Sequence, residues 1–338
     1  MSAVEEIASQ APAVQAVPKR AMTLSSGTTF VVVLLLLVVP LFVKNFIIFQ
    51  MTMLLIYGLA VLALNILTGG SGQFSLGNSA FYAIGAYTSA ILMEQYNVNY
   101  ALTLPVAGVI CFGAGFLFGQ PALRLSGVYL ALATFALATA MPQILKLGFF
   151  EHWTGGVQGL VVTKPDAPFG LPMSQDMWLY YFTLAITIAI YVFSVNLLRS
   201  RSGRAFMAIR DNEIAASAMG IDVATYKTLA FGVSAGITGV AGGLGAIAVQ
   251  FVAPDSYTIV LAISLFLGMV VGGVGWLPGS FVGAAFIIFV PNIAEGISKG
   301  LSGAVFGVLL FLVIFLVPHG ARQVAMVAQQ LLGKLRKN

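Results

Sequence analysis

The chain is 338 residues long, with 59% hydrophobic and only 8% charged residues, about a third of the roughly 25% that a soluble domain carries. So few charges cannot coat a water-soluble fold of this size, and a thinly scattered net charge of +5 gives no basis for nucleic-acid binding. A single cysteine, Cys111, and two distant histidines, His152 and His319, leave no internal disulfide, cysteine cage or histidine-rich metal site to expect.

The remaining class is an all-α integral membrane protein. A crossing needs about 20 mostly apolar residues at 1.5 Å rise each, and uninterrupted apolar runs mean helices, since barrel strands would alternate. Residues 1–23 are read as a flexible N-terminus; Lys19 and Arg20 then precede the first apolar run, where no small-residue cleavage site follows Pro40. Ten spans are predicted. The first five are Leu24–Val43, Phe46–Leu67, a glycine-interrupted Gly77–Met93, Ala101–Gly119 and Leu125–Leu147. The second five are Met177–Leu198, Thr228–Gln250, Thr258–Val274, Gly279–Ile297 and Gly303–Val317, leaving 24–317 as the membrane domain and 318–338 as a basic tail. With both termini cytoplasmic, twelve of the sixteen Lys and Arg residues fall inside and four outside (Lys44, Lys146, Lys164 and Lys299), as the positive-inside rule requires.

No ionisable residue falls in the middle of a predicted span; Glu94, Lys146 and Glu295 sit near span ends and Asp255 in an outer turn. Intramembrane charges mark ion paths and proton relays, so this distribution weighs against an ion-coupled carrier or a charge-ringed channel. A G-x-x-x-x-G-K-[ST] phosphate loop is also missing, and neither a nucleophilic triad nor a carboxylate pair is visible. The energy for uphill transport is therefore expected to come from outside the chain.

Three segments interrupt the apolar pattern. The first is Thr68-Gly69-Gly70-Ser71-Gly72-Gln73-Phe74-Ser75-Leu76-Gly77-Asn78. A helix break facing protein or water can hold a binding site, with Gln73, Ser75 and Asn78 supplying uncharged hydrogen bonds; close packing through small residues explains it equally well. A similar Gly-rich stretch recurs from Gly272 to Gly283, six spans later, and reads as shared composition, not a repeat.

The second is the outer segment Gly148–Asp176, whose glycines and prolines favour a fixed irregular loop over helix. It would receive a docking partner, with Trp153, Gly155 and Gly156 as candidate positions, or supply an interfacial aromatic belt through Trp153, Trp178, Tyr180 and Tyr181. The third, Arg199–Lys227, carries five basic and three acidic residues. Arg204–Arg210 reads as a short helix with Phe206 and Ile209 on one face. Asp211 or Asn212 would cap a second helix, Glu213–Met219, ended by Gly220. This is either a charged topology anchor or a compact docking knob for a cytoplasmic protein; an anchor needs only the arginines, so the knob is preferred.

Five stretches in order resemble the permeases of branched-chain amino-acid ABC importers, specifically the M-type of the paired Liv subunits. They are Gly69–Tyr87, Arg124–Thr134, Thr154–Leu160, Arg201–Gly245 (the most specific), and Gly268–Pro278 with Gly303–Gly320. The resemblance implies a type II-like importer permease in a bacterial inner membrane, forming half of the translocation pathway. It also implies a second Liv-type permease as heterodimer partner, two cytoplasmic ATPases and an extracytoplasmic binding protein. No cofactor is expected on this chain; ATP and Mg would be bound by the ATPases.

On the same basis Arg204, Arg210, Asp211, Asn212, Glu213, Ala216 and Gly220 are the candidate ATPase-coupling positions. Gln73, Ser75, Asn78, Tyr82 and Thr134 are the candidate pathway positions. Asn78 stands where histidine is frequent in the family, and Pro318-His319-Gly320 where arginine commonly follows the proline. Relatives also import amides, urea and aromatic or other carboxylates. An ion-coupled carrier and a non-transporting membrane scaffold are the rival classes.

Overall fold

A computed structural model describes residues 34–122, 125, 127–167, 173–297 and 307. The N-terminal segment, the first half of the first predicted span, all of the tenth span but Gly307, the basic tail, Arg124 and His319 lie outside these residues.

Past a short turn at Val39–Leu41, α1 (Asn45–Asn65) runs on into a π-helical turn, Ile66–Gly70. Then come α2 (Asn78–Glu94), α3 (Tyr100–Ala122), α4 (Val128–Leu145) and the short α5 (Gly148–Thr154). α6 (Gln175–Arg199), α7 (Arg201–Asp211), α8 (Glu213–Ala218) and α9 (Val223–Val249) follow, and α10 (Ile259–Gly272) and α11 (Gly279–Ile297) close the described chain. Two-residue strands, β1 (Leu160–Val161) and β2 (Phe251–Val252), pair antiparallel.

Among the described residues, six helical segments are long and apolar enough to cross a membrane: Asn45–Gly70, Tyr100–Pro121, Val128–Leu145, Gln175–Arg199, Val223–Val249 and Pro254–Gly272. α11 contributes a shorter apolar stretch, Gly279–Ile293, and α2 is 17 residues, about 25 Å at the helical rise. The chain is a multi-pass helical membrane protein.

The bundle is organised around α9, which packs against α3, α2 and α1. In a bilayer, apolar side chains gain little by leaving lipid, so close contact decides which helices pair. A Cβ on Gly85 of α2 would collide with the Gly239 carbonyl of α9, and one on Gly242 with the Tyr82 carbonyl. The two backbones therefore touch. α1 is apolar all round and buried on every side from Gly58 onward, the mark of an interior helix. The α10–α11 hairpin lies against α1, α6 packs on α1 as well, and α4 leans on α2 and the Pro254–Tyr257 turn.

The loops gather at two ends. One end holds the Gly-rich turn after α1, Leu125 and Gly127, the α7–α8 insertion and the α10–α11 turn. At the other, β1 pairs with β2, Lys146 meets Asp255 at 2.6 Å, Glu94 accepts from the Thr163 N–H and the Gln95 amide donates to the carbonyls of His152 and Trp153. Lys164 pairs with Asp176 there and lies over the Phe49 ring.

This ribbon end corrects one expectation. Residues 148–154, expected as irregular loop, form α5, and Leu160–Val161 form β1 after a short glycine-rich turn. The glycines act after the helix, not inside it: Gly155 ends α5 with φ +69°, a left-handed conformation that favours glycine.

Candidate functional site

The polar insertion folds as two capped helices. Ser200 breaks the chain after α6, and its hydroxyl accepts from the Gly203 N–H to start α7. α7 turns Ala205, Phe206 and Ile209 inward, with the Phe206 ring edge-on to Tyr226. Asn212 is the cap of α8, its side chain accepting from the Ala215 N–H at 3.0 Å, and Gly220 closes the segment at φ +83°. The expected bounds shift: α7 begins three residues before Arg204, and α8 stops at Ala218.

Asp222 caps α9, accepting from the Thr225 N–H and hydroxyl, and these bonds hold its exposed carboxyl below the usual range. The candidate coupling residues divide by environment. Arg204 is exposed and donates to the Arg199 carbonyl, while Ala216 is buried beneath the knob. Glu213 is paired with Lys227 at 2.6 Å, and Asp211 with Arg210. The knob's outer surface mixes charged groups, among them Arg204, Asp211 and Glu213, with two large apolar side chains, Ile214 and Met219, which are 83% and 84% exposed.

Arg210 ties the knob to the Gly-rich turn. Its Nη1 donates to the Gly69 carbonyl at 2.7 Å, and its Nε and Nη2 donate to Asp211 Oδ1. That carbonyl belongs to the π-helical turn at the C-terminal end of α1, where a cation is favoured by the helix dipole. Gly72 sits under Arg210 at φ +74°, and a Cβ there would lie 2.9 Å from Arg210 Cγ. Within the turn, Ser71 donates to the Leu67 carbonyl and Thr68 to the Gln73 carbonyl.

The five candidate pathway residues all turn to protein neighbours. Gln73 Nε2 donates to the Ser71 hydroxyl and the Lys227 carbonyl, pinning the turn to the start of α9. Thr134 Oγ1 accepts from the Leu76 N–H at 2.9 Å, Ser75 Oγ from the Gly77 N–H, and Asn78 donates to Thr238 on α9. Tyr82 lies deeper, buried between the rings of Tyr57 and Tyr257. A cavity of about 250 Å³ remains between knob and turn, walled by Gln73, Phe74, Leu130, Arg210, Glu213 and Lys227. At the opposite end Trp153 is partly exposed beside Phe149 and His152, whereas Gly155 and Gly156, both at positive φ, shape the backbone.

Sequence reasoning missed Asn65. It is 1% exposed, and its amide spans the α10–α11 turn: Nδ2 donates toward the Gly273 and Trp276 carbonyls and Ser280 Oγ at 3.1–3.3 Å, and Oδ1 accepts from the Gly275 N–H at 2.7 Å. A Cβ on Gly69 would collide with the Gly275 backbone. The two Gly-rich stretches that read as shared composition are thus in direct contact. The available signal was an amide inside the apolar run Ala63-Leu64-Asn65-Ile66, one helical turn before Gly69.

A family model described as the permease component of branched-chain amino acid transport systems matches residues 46–317, from the start of α1 past the end of α11. The chain belongs to this permease family. It is 34% identical over 288 residues to the high-affinity branched-chain amino acid transport system permease protein LivM of Escherichia coli, covering 76% of this chain and 67% of that one. It is 36% identical over 247 residues to the Salmonella typhimurium protein of the same name, covering 66% and 58%; the chain thus spans less than two thirds of that relative. The autoinducer 2 import system permease protein LsrC of Escherichia coli is more distant, 28% identical over 262 residues, covering 75% and 72%. No solved structure matches. The permease match encloses the knob, the Gly-rich turn and Asn65 in one unit.

Proposed function

We propose that this chain is one permease half of an ATP-driven ABC importer in a bacterial inner membrane, carrying branched-chain or related amino acids. The single observation that carries this reading is the folded knob. A polar, doubly capped insertion presents Ile214 and Met219 outward while Arg210 bonds it to the end of α1 and Glu213 pairs it with Lys227 of α9. A topology anchor has no use for such construction; a seat for a cytoplasmic ATPase has. The ten-span topology, with both termini and the knob cytoplasmic, belongs to the same reading. The basic residues Arg199, Arg201, Arg204 and Arg210 all lie at the knob end, and Lys164 with the acidic Asp166, Asp176 and Asp255 at the other.

A second, similar permease would complete the pathway, two ATPases would hold ATP and Mg, and a binding protein would deliver substrate. Similarity to permeases named both for branched-chain amino acids and for autoinducer 2 leaves the binding protein to set much of the choice of cargo. The test is reconstitution of the chain with these partners in vesicles. Leucine uptake is expected to require ATP and the binding protein. Uptake by this chain alone, driven by an ion gradient, overturns the proposal.

A further inference from the structure

We propose that Asn65 is a positioning residue that joins the knob to the α10–α11 turn, so that displacement of the knob reaches α10 and α11 through the π-helical turn of α1. The inference rests on the importer reading above and names the route inside this chain. It begins at Arg210, whose guanidinium holds the Gly69 carbonyl at 2.7 Å. Gly69 belongs to a widened turn, a geometry that releases carbonyls from the regular ladder and recurs at functional sites. One turn back, Asn65 projects from the same helix end across to the next hairpin.

The chemistry at Asn65 is specific to a primary amide. Its two N–H groups are shared among the Gly273 and Trp276 carbonyls and the Ser280 hydroxyl, and its oxygen takes the Gly275 N–H. A carboxylate would supply no donor to the carbonyls, and an alkyl chain would supply nothing. The turn it holds has φ +102° at Gly273 and +79° at Gly275, and neither glycine has a side chain with which to brace the turn. Asn65 therefore fixes the turn from outside, and the touching backbones of Gly69 and Gly275 leave no slack between the two segments. Burial away from water strengthens each of these bonds. From the knob to α11 the path crosses one arginine and one asparagine, with helix backbone between them.

Spatial continuity alone does not establish coupling, so the test is a double-mutant cycle on the assembled importer. Vesicles containing the partner permease, the ATPases and the binding protein are assayed for ATPase co-purification, ATP turnover and uptake of labelled leucine. Arg210→Met and Asn65→Asp are each expected to keep the ATPase bound and hydrolysing while lowering uptake per ATP about tenfold. The double variant is expected to lose no more than about tenfold, because both act on one route. Arg210→Lys, which retains a donor, is expected to restore at least half of the uptake. If Asn65→Asp fails to insert, Asn65→Ser completes the same cycle.

A double variant down about a hundredfold, the product of independent effects, overturns the route, as do single variants with normal uptake per ATP. Both of those results leave the importer reading standing. Wild-type chain that neither retains the ATPase nor imports leucine overturns both.

Discussion

Arg210 and Gly69, 141 residues apart in sequence, are joined by a 2.7 Å hydrogen bond from guanidinium to backbone carbonyl. The bond converts a surface insertion into an extension of α1. It needs room, which Gly72 provides: its backbone is left-handed and any side chain would press on Arg210.

Gly72→Ala is therefore expected to cost about 1–2 kcal/mol from the left-handed conformation alone, plus displacement of Arg210. Thermal unfolding of the detergent-purified protein should show a lowered midpoint, and uptake should fall further than the stability loss explains. An unchanged midpoint would mean the turn relaxes freely.

The α2–α9 contact makes a sharper stability prediction. Gly242→Ala places a methyl group against the Tyr82 carbonyl and should destabilise by about 1–3 kcal/mol, the usual cost of overpacking. Gly113→Ala on α3 meets nothing within 4 Å and should be neutral or gain up to about 1 kcal/mol from helix propensity. Size-exclusion profiles of the two variants after heating would separate them.

At the knob, Ile214→Glu and Met219→Glu remove exposed apolar groups without touching the buried Phe206 face. Folding should change by less than about 0.5 kcal/mol, while co-purification of the ATPase falls about tenfold or more, as for a buried interface anchor. Glu213 would be a poorer probe, because its carboxylate is already held by Lys227.

The cap of α9 predicts a pH dependence. The bonds from Thr225 lower the Asp222 pKa, so the charged cap adds stability that is complete above the unfolded value of about 3.9 and drains away as pH falls through the lower folded value. Asp222→Asn should flatten the unfolding midpoint against pH between about 5 and 3. The same slope in both proteins would assign the titration elsewhere.

Cys111 is buried and donates toward the Phe81 carbonyl at 3.4 Å. A membrane-impermeant maleimide should label it only after denaturation. Labelling of the folded protein would mean that α2 and α3 part in solution.

Much of this was legible in the sequence. Apolar runs located the helices because a bilayer demands length and composition together, and Asn212 and Gly220 were readable as helix punctuation. Phe206 and Ile209, three residues apart, were correctly placed on one buried face. What escaped were long-range partners. Nothing local to Ala216 marked it as covered, and nothing local to Gln73 or Thr134 pointed to their hydrogen-bond partners on α9 and ahead of α2. Asn65 was invisible for the same reason: its meaning resides in a turn more than 200 residues away. At residues 148–154 glycine density suggested irregularity, whereas Gly155 serves as the stop signal of a short helix.

The staples at the ribbon end bear on how such a subunit moves. With Lys146 clasped to Asp255, β1 zipped to β2 and Gln95 bonded to α5, the ends of α2 and α4, the helix α5 and the two strands are laced together like the rivet of a folding fan. Travel at that rim is small for any of these helices acting individually, so a displacement applied at the knob end would tilt the laced segments together and not bend them one by one.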